Sequence, residues 1–87
     1  ARQIQGAVLV LHGADDPHVP AEEVRAFQDE MRAAGADWQL VSYGGAVHSF
    51  TDPGAGGDPA RGAAYNAAAD RRSWQAMRDF LGERLRP

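Results

Sequence analysis

The 87-residue chain contains no cysteine. That absence excludes disulfides, a thiolate nucleophile from within the chain and every zinc site built on sulfur. Lysine is missing too: all nine basic residues are arginine, set against twelve acids for a formal net charge of −3. No basic cluster exists to neutralise a phosphate backbone, so a nucleic-acid partner is not expected. Long apolar runs are also lacking. The longest, Ala7–Leu11, falls far short of the roughly 20 residues that span a bilayer, and no membrane partner is expected. No signal-peptide pattern opens the chain, which begins on Ala1, and the expected location is the cytoplasm.

What is present has the composition of a globular domain, 44% hydrophobic and 24% charged. Ala7–Leu11 (AVLVL), closed by Gly13, reads as a strand buried on both faces, the habit of a parallel sheet. A helix follows. Pro20 opens it, Glu22 and Glu23 place negative charge in its first turn, and Gly35 stands at its C-cap. Val24, Phe27, Met31 and Ala34 form its apolar stripe. Trp38–Tyr43 (WQLVSY) is a second strand, ended by Gly44-Gly45. This strand–helix–strand order makes one βαβ unit, with parallel strands whose C-terminal ends lie on the same side. A loop dense in Gly and Pro runs from Gly44 to about Gly62, and loops of that length inside a compact domain are usually functional or mobile. The last segment, from an Asn66 N-cap to Leu85, is helical, with Trp74, Met77, Leu81 and Leu85 as its stripe and Phe80 beside it.

The fold class is therefore α/β, but two parallel strands and two helices do not make a self-sufficient sheet. Parallel sheets persist with several strands paired and both faces covered, and each strand here keeps an unpaired edge. A chain this small already buries only roughly 60% of its unfolded surface. Residues 1–87 read as a single partial domain, completed by a missing N-terminal segment or by a second copy.

The chemistry gathers at the strand ends. VLVLHGADDPHVP, residues 8–20, carries an apolar strand straight into Asp15 and Asp16. His48 lies just past the second strand. In open α/β sheets the crevice at the carboxyl ends of the strands is where ligands bind. A carboxylate and an imidazole delivered there could pair, the acid fixing the tautomer and steadying the imidazolium. The competing explanation is local: Asp beside Gly and Pro forms turns, and a His in a Gly-rich loop is often merely solvated. His12 reads as a packed strand-end residue, His18 as loop surface, and Arg71 and Arg72 as solvated. His12, Asp15, Asp16 and His18 are close in sequence but lack a recognised ligand spacing, so no metal site is expected. No cofactor is implied.

The stretch HGADDPHVP resembles the acid segment of α/β-hydrolases: a strand, then Gly-x-x-Asp, then Val-Pro opening a helix. YGGAVHSF resembles the histidine segment after the last strand, with Phe two residues beyond the His. The tail AYNAAADRRSWQAMRDF is similar to the closing helix of the dienelactone hydrolase family. Prolyl-oligopeptidase relatives share the first two segments, so another α/β-hydrolase such as a serine peptidase is the alternative within the superfamily. The resemblance implies the C-terminal βαβα portion of an α/β-hydrolase fold. It also implies Asp16 as the triad acid, by the Gly-x-x-Asp spacing from Gly13, with Asp15 as the competing assignment, and His48 as general base. Asp before His fits the hydrolase order of nucleophile, acid, base.

One member of that apparatus has no counterpart. No Gly-x-[CS]-x-Gly elbow occurs, and Ser42, Ser49 and Ser73 stand outside that frame. Ser49, beside the histidine, further lacks the strained elbow that presents a nucleophile. The expected function is that of the C-terminal part of an ester or lactone hydrolase acting on a small-molecule substrate, inactive alone. The expectation from a different class is a non-catalytic, self-associating α/β module.

Overall fold

The computed structural model describes residues 6–85. Four main elements follow in order: strand β1 (Ala7–Gly13), helix α1 (Ala21–Ala34), strand β2 (Asp37–Tyr43) and helix α2 (Ala67–Leu85). The strands pair in parallel as a two-stranded sheet, with Ala7 opposite Asp37 and Gly13 opposite Tyr43. Both therefore end at the same edge.

The sheet has two unlike faces, as the period of two in a strand requires. Val10, His12 and Leu40 line a groove with Val24 and Phe27 of α1, and Phe27 meets the Trp38 ring edge-on at 6.2 Å. On the other face Leu11 and Val41 pack against Tyr43, Ala46, Phe50 and Ala69, the last supplied by α2. The expectation of a strand buried on both faces is not met: β1 is half-buried along its length, with only Gly13 fully covered. One helix on each face leaves part of the sheet, and its two outer edges, open.

Helix α1 follows its sequence signals. Pro20 caps it in extended backbone, and Gly35, at φ 64, ends it with its N–H on the Arg32 carbonyl while Ala36 reaches back to Met31. That pair of bonds is a Schellman motif, which uses the left-handed conformation glycine tolerates. Helix α2 starts on Asn66, whose Oδ1 accepts the Ala69 N–H at 3.0 Å. Tyr65 donates its hydroxyl to Asp70 at 2.7 Å. That hydrogen bond, then burial and the Asp70 charge, holds the Tyr65 phenol above its usual pKa, with Arg71 pulling the other way. The long Gly/Pro loop is ordered by two short 3₁₀ turns, Pro53–Ala55 and Pro59–Arg61. Each follows an aspartate, Asp52 or Asp58, whose side chain accepts the N–H two residues on. The Asp-Pro dipeptide thus builds the same turn twice.

The stripe expected on α2 is corrected. Trp74, Leu81 and Leu85 are exposed, at 53%, 42% and 77%. The residues that α2 buries are Ala69 and Ser73, with Ala76, Met77 and Phe80 half-buried. Small residues at the front of the helix let it approach the Tyr43–Phe50 cluster closely, while Trp74 lines an open cavity that it shares with Leu11, Thr51 and Met77.

This difference is measurable. Phe50→Ala removes a ring that is 8% exposed and should cost about 3–5 kcal/mol, as large-to-small core changes do. Leu85→Ala should change stability by no more than about 0.5 kcal/mol. Urea denaturation of the two variants checks both; equal losses would contradict the packing described here.

Candidate active site

Because the strands are parallel and in register, the turns after Gly13 and Tyr43 leave the sheet side by side. The Tyr43 carbonyl accepts two N–H groups, from Ala14 at 3.0 Å and from Ala46 at 3.2 Å, so the turn closing β2 and the first residue beyond β1 share one acceptor. Asp15 then donates its N–H to the Ala46 carbonyl at 2.9 Å. Gly13 is what lets the two segments come so close. A Cβ at that position would sit 2.7 Å from the Val47 carbonyl oxygen and 2.8 Å from that of Ala46.

This approach brings Asp16 to His48. Asp16 Oδ2 lies 3.2 Å from His48 Nδ1, across 32 residues of sequence. The other oxygen, Oδ1, accepts the His18 N–H at 2.8 Å. The two explanations of the aspartate therefore hold together, one per oxygen: a local turn and a contact with the imidazole. The Asp16 side chain is 8% exposed and that of His48 is 54% exposed, so a covered carboxylate holds an imidazole that faces open space. With the carboxylate as acceptor, Nδ1 carries the ring hydrogen and Nε2 keeps its lone pair.

Two further contacts fix the histidine. Its N–H donates to the Gly62 carbonyl at 3.2 Å and its carbonyl accepts the Ala64 N–H at 3.1 Å, an isolated parallel bridge to Ala63. Gly62, at φ 84, in turn leaves its Cα face against Pro17, where a Cβ would lie 3.1 Å from the proline ring. Immediately after His48 the backbone turns through Ser49, which at φ 58 is the sole non-glycine residue with positive φ among the described residues. The left-handed conformation costs about 1–2 kcal/mol, and it sends the next residue, Phe50, into the core. Ser49 nonetheless follows no strand-to-helix turn, and no hydrogen bond joins its hydroxyl to His48 among the described residues.

Asp15, the neighbouring acid, does not meet the imidazole. Its Oδ2 accepts the Gly45 N–H at 2.9 Å. His18 is exposed, as expected of loop surface, but its ring also stands edge-on to that of His48, centroids 5.1 Å apart. Sequence reasoning missed that contact, since nothing in the spacing of His18 and His48 signals it. His12 is half-buried at the strand end and lines a cleft of about 300 Å³ with Ala14, Val24, Arg25, Gln28 and Ser42. That cleft runs along α1 and takes in neither Asp16 nor His48. In the core cluster, beside Phe50, burial pushes the Tyr43 phenol above its usual pKa. Among the described residues no three His, Asp or Glu side chains are grouped so as to hold a metal ion, Arg71 and Arg72 are exposed, and no helix is long and apolar enough to cross a membrane.

The dependence on Gly13 gives a test. Gly13→Ala forces the 46–47 carbonyls outward and should destabilise the chain by about 1–3 kcal/mol, the usual range for overpacking. Gly57→Ala, with nothing within 4 Å of its added carbon, should stay within about 0.5 kcal/mol. Thermal or urea unfolding of both chains measures the contrast.

The geometry has close counterparts. The family model described as "Dienelactone hydrolase family" matches residues 1–85. Among curated proteins the chain is 46% identical over 77 residues to an uncharacterised protein of Caenorhabditis elegans, covering 88% of this chain and 49% of that protein. It is 34% identical over 74 residues to a provisionally named carboxymethylenebutenolidase of Yersinia pestis, covering 85% of this chain and 25% of the relative. Among solved structures it superposes on a dienelactone hydrolase-like promiscuous phosphotriesterase from metagenomic libraries with a TM-score of 0.85. Identity there is 52%, over 93% of this chain and 34% of that one. The chain thus spans from a quarter to a half of the length of these relatives. The order of strands and helices, the parallel pairing and the family match agree, and the chain belongs to the dienelactone hydrolase family, within the α/β-hydrolase fold.

Proposed function

We propose that this chain supplies the acid–base half of a hydrolase that cleaves small-molecule esters or lactones. The observation that carries the reading is the 3.2 Å contact between the covered Asp16 carboxylate and His48 Nδ1. In this scheme His48 Nε2 takes the proton of a Ser or Cys nucleophile as that atom attacks the carbonyl carbon. Collapse of the tetrahedral adduct expels the alcohol, which receives the proton from His48, and leaves an acyl-enzyme. Water then attacks the acyl carbon, again losing its proton to His48, and the acid is released as the nucleophile recovers its own. Asp16 keeps the imidazole in the Nδ1–H tautomer and steadies the imidazolium formed at each step.

The nucleophile, the oxyanion donors and most of the pocket wall come, on this reading, from a preceding segment of a longer polypeptide, and that segment or a second copy completes the sheet. Support comes from the open flanks of the sheet and from the exposed Trp74, Leu81 and Leu85. It comes also from Asp70 Oδ1, a buried oxygen with no hydrogen-bond partner among the described residues, since buried polar atoms in complete folds almost always have one. On this view the chain is one partial domain, catalytically silent alone.

The 87-residue chain should hydrolyse p-nitrophenyl acetate no faster than an equal concentration of free imidazole. A rate well above that level, abolished by His48→Ala, would overturn the division of labour. Joined to a segment that carries a Gly-x-[CS]-x-Gly elbow, the chain should become active. Asp16→Asn should then lower kcat by about 10⁴, the cost of presenting the wrong histidine tautomer. An Asp16→Asn enzyme with undiminished kcat would remove Asp16 from the mechanism.

A further inference from the structure

Asp15 sits beside the proposed acid, yet its carboxylate serves a different segment. It grips the turn of residues 43–46 at two points: Oδ2 accepts the Gly45 N–H at 2.9 Å, across 30 residues of sequence, and the Asp15 N–H donates to the Ala46 carbonyl at 2.9 Å. That turn needs holding. It contains Gly44 and Gly45, neither of which has a side chain to pack, and Gly45 lies at φ 78. Glycine has the widest backbone freedom of any residue, so an untethered Gly-Gly pair samples many directions for the chain beyond it. Three residues further on is His48, whose Nδ1 must stay within reach of Asp16. The Gly13 contact limits the approach of the 46–47 carbonyls from one side, and the Asp15 oxygen draws the turn in from the other.

We propose that Asp15 is a positioning residue, which fixes the 43–46 turn so that His48 stays in register with Asp16. The proposal rests on the reading of Asp16 and His48 as an acid–base pair. It separates the two adjacent carboxylates by role. The acid must be a carboxylate, whereas the positioning oxygen needs only to accept a neutral amide N–H, which a side-chain amide oxygen does equally well.

The test is ¹⁵N and ¹H NMR of the ¹⁵N-labelled 87-residue chain. The wild type should show a downfield Nδ1–H proton from His48 and the nitrogen shifts of a single tautomer. Asp15→Ala should lose that proton and show averaged ring nitrogens, while the His18 amide, which is bonded to Asp16 and not to the turn, keeps its shift. Asp15→Asn should restore the wild-type pattern. An Asp15→Ala chain with the His48 signature intact, or an Asp15→Asn chain that loses it, would overturn the proposal and leave the acid–base pair standing. A wild-type chain that is folded but lacks the signature would overturn the pairing itself, and the proposal with it. Should Asp15→Ala lose its dispersed amide spectrum, Asp15→Ser decides instead: it tolerates the turn, but its hydroxyl falls one atom short of Gly45, so the His48 proton must be lost and its retention overturns the proposal.

Discussion

The arrangement depends on a carboxylate that is mostly removed from water and engaged at both oxygens. Burying a charge is costly unless hydrogen bonds replace its hydration. Asp16 meets that condition with one main-chain N–H, from His18, and one imidazole nitrogen, from His48. The first bond is local and forms with the turn. The second spans 32 residues and exists only if two loops from different strands pack against each other. The close approach at Gly13 makes that packing possible, and any larger residue there would push the loops apart. Without the glycine, the carboxylate would keep its turn and lose its imidazole.

Much of the fold was legible because its signals are local. Pro20 and Gly35 bound α1 at the residues where the sequence places them, and Asn66 caps α2 through the side chain that made it a candidate. The parallel pairing followed from chain order and handedness, and the register confirms it. The apolar stripe of α2 was misread for a physical reason. A stripe at helical spacing shows which side of a helix could be buried, but only a neighbouring layer determines whether it is. Here the layer beside α2 covers Ala69 and Ser73 and leaves Trp74 more than half exposed.

In the candidate site the residues were legible and their contacts only partly so. The strand ends placed Asp15, Asp16 and His48 together, but spacing could not say which acid meets the imidazole. That choice is made by the turn closed from Asp16 N–H to the Gly13 carbonyl, which carries the second aspartate inward and leaves the first beside Gly45. The edge-on contact of His18 with His48 and the strained backbone at Ser49 have no signature in composition or periodicity. Both arise where a loop is forced into shape by contacts from several segments at once, which a reading along one chain cannot see.

Those contacts also explain how the Asp16–His48 pair is held in place by the chain's own backbone. The segments that converge on the pair, residues 13–18, 43–50 and 62–64, are joined chiefly by main-chain hydrogen bonds: Ala14 to Tyr43, Asp15 to Ala46, His48 to Gly62 and Ala64 to His48. None of these bonds needs a group from outside the chain. The sheet edges, the exposed Trp74 ring and the Asp70 oxygen are different, since each is a surface or an atom left unmatched among the described residues. The described residues thus satisfy the Asp16–His48 contact among themselves and leave the sheet edges open. On the proposed reading that division follows the chemistry. Proton transfer demands a fixed geometry between two side chains, and local backbone supplies it. Substrate walls and a nucleophile can come from any element that packs on the open flank.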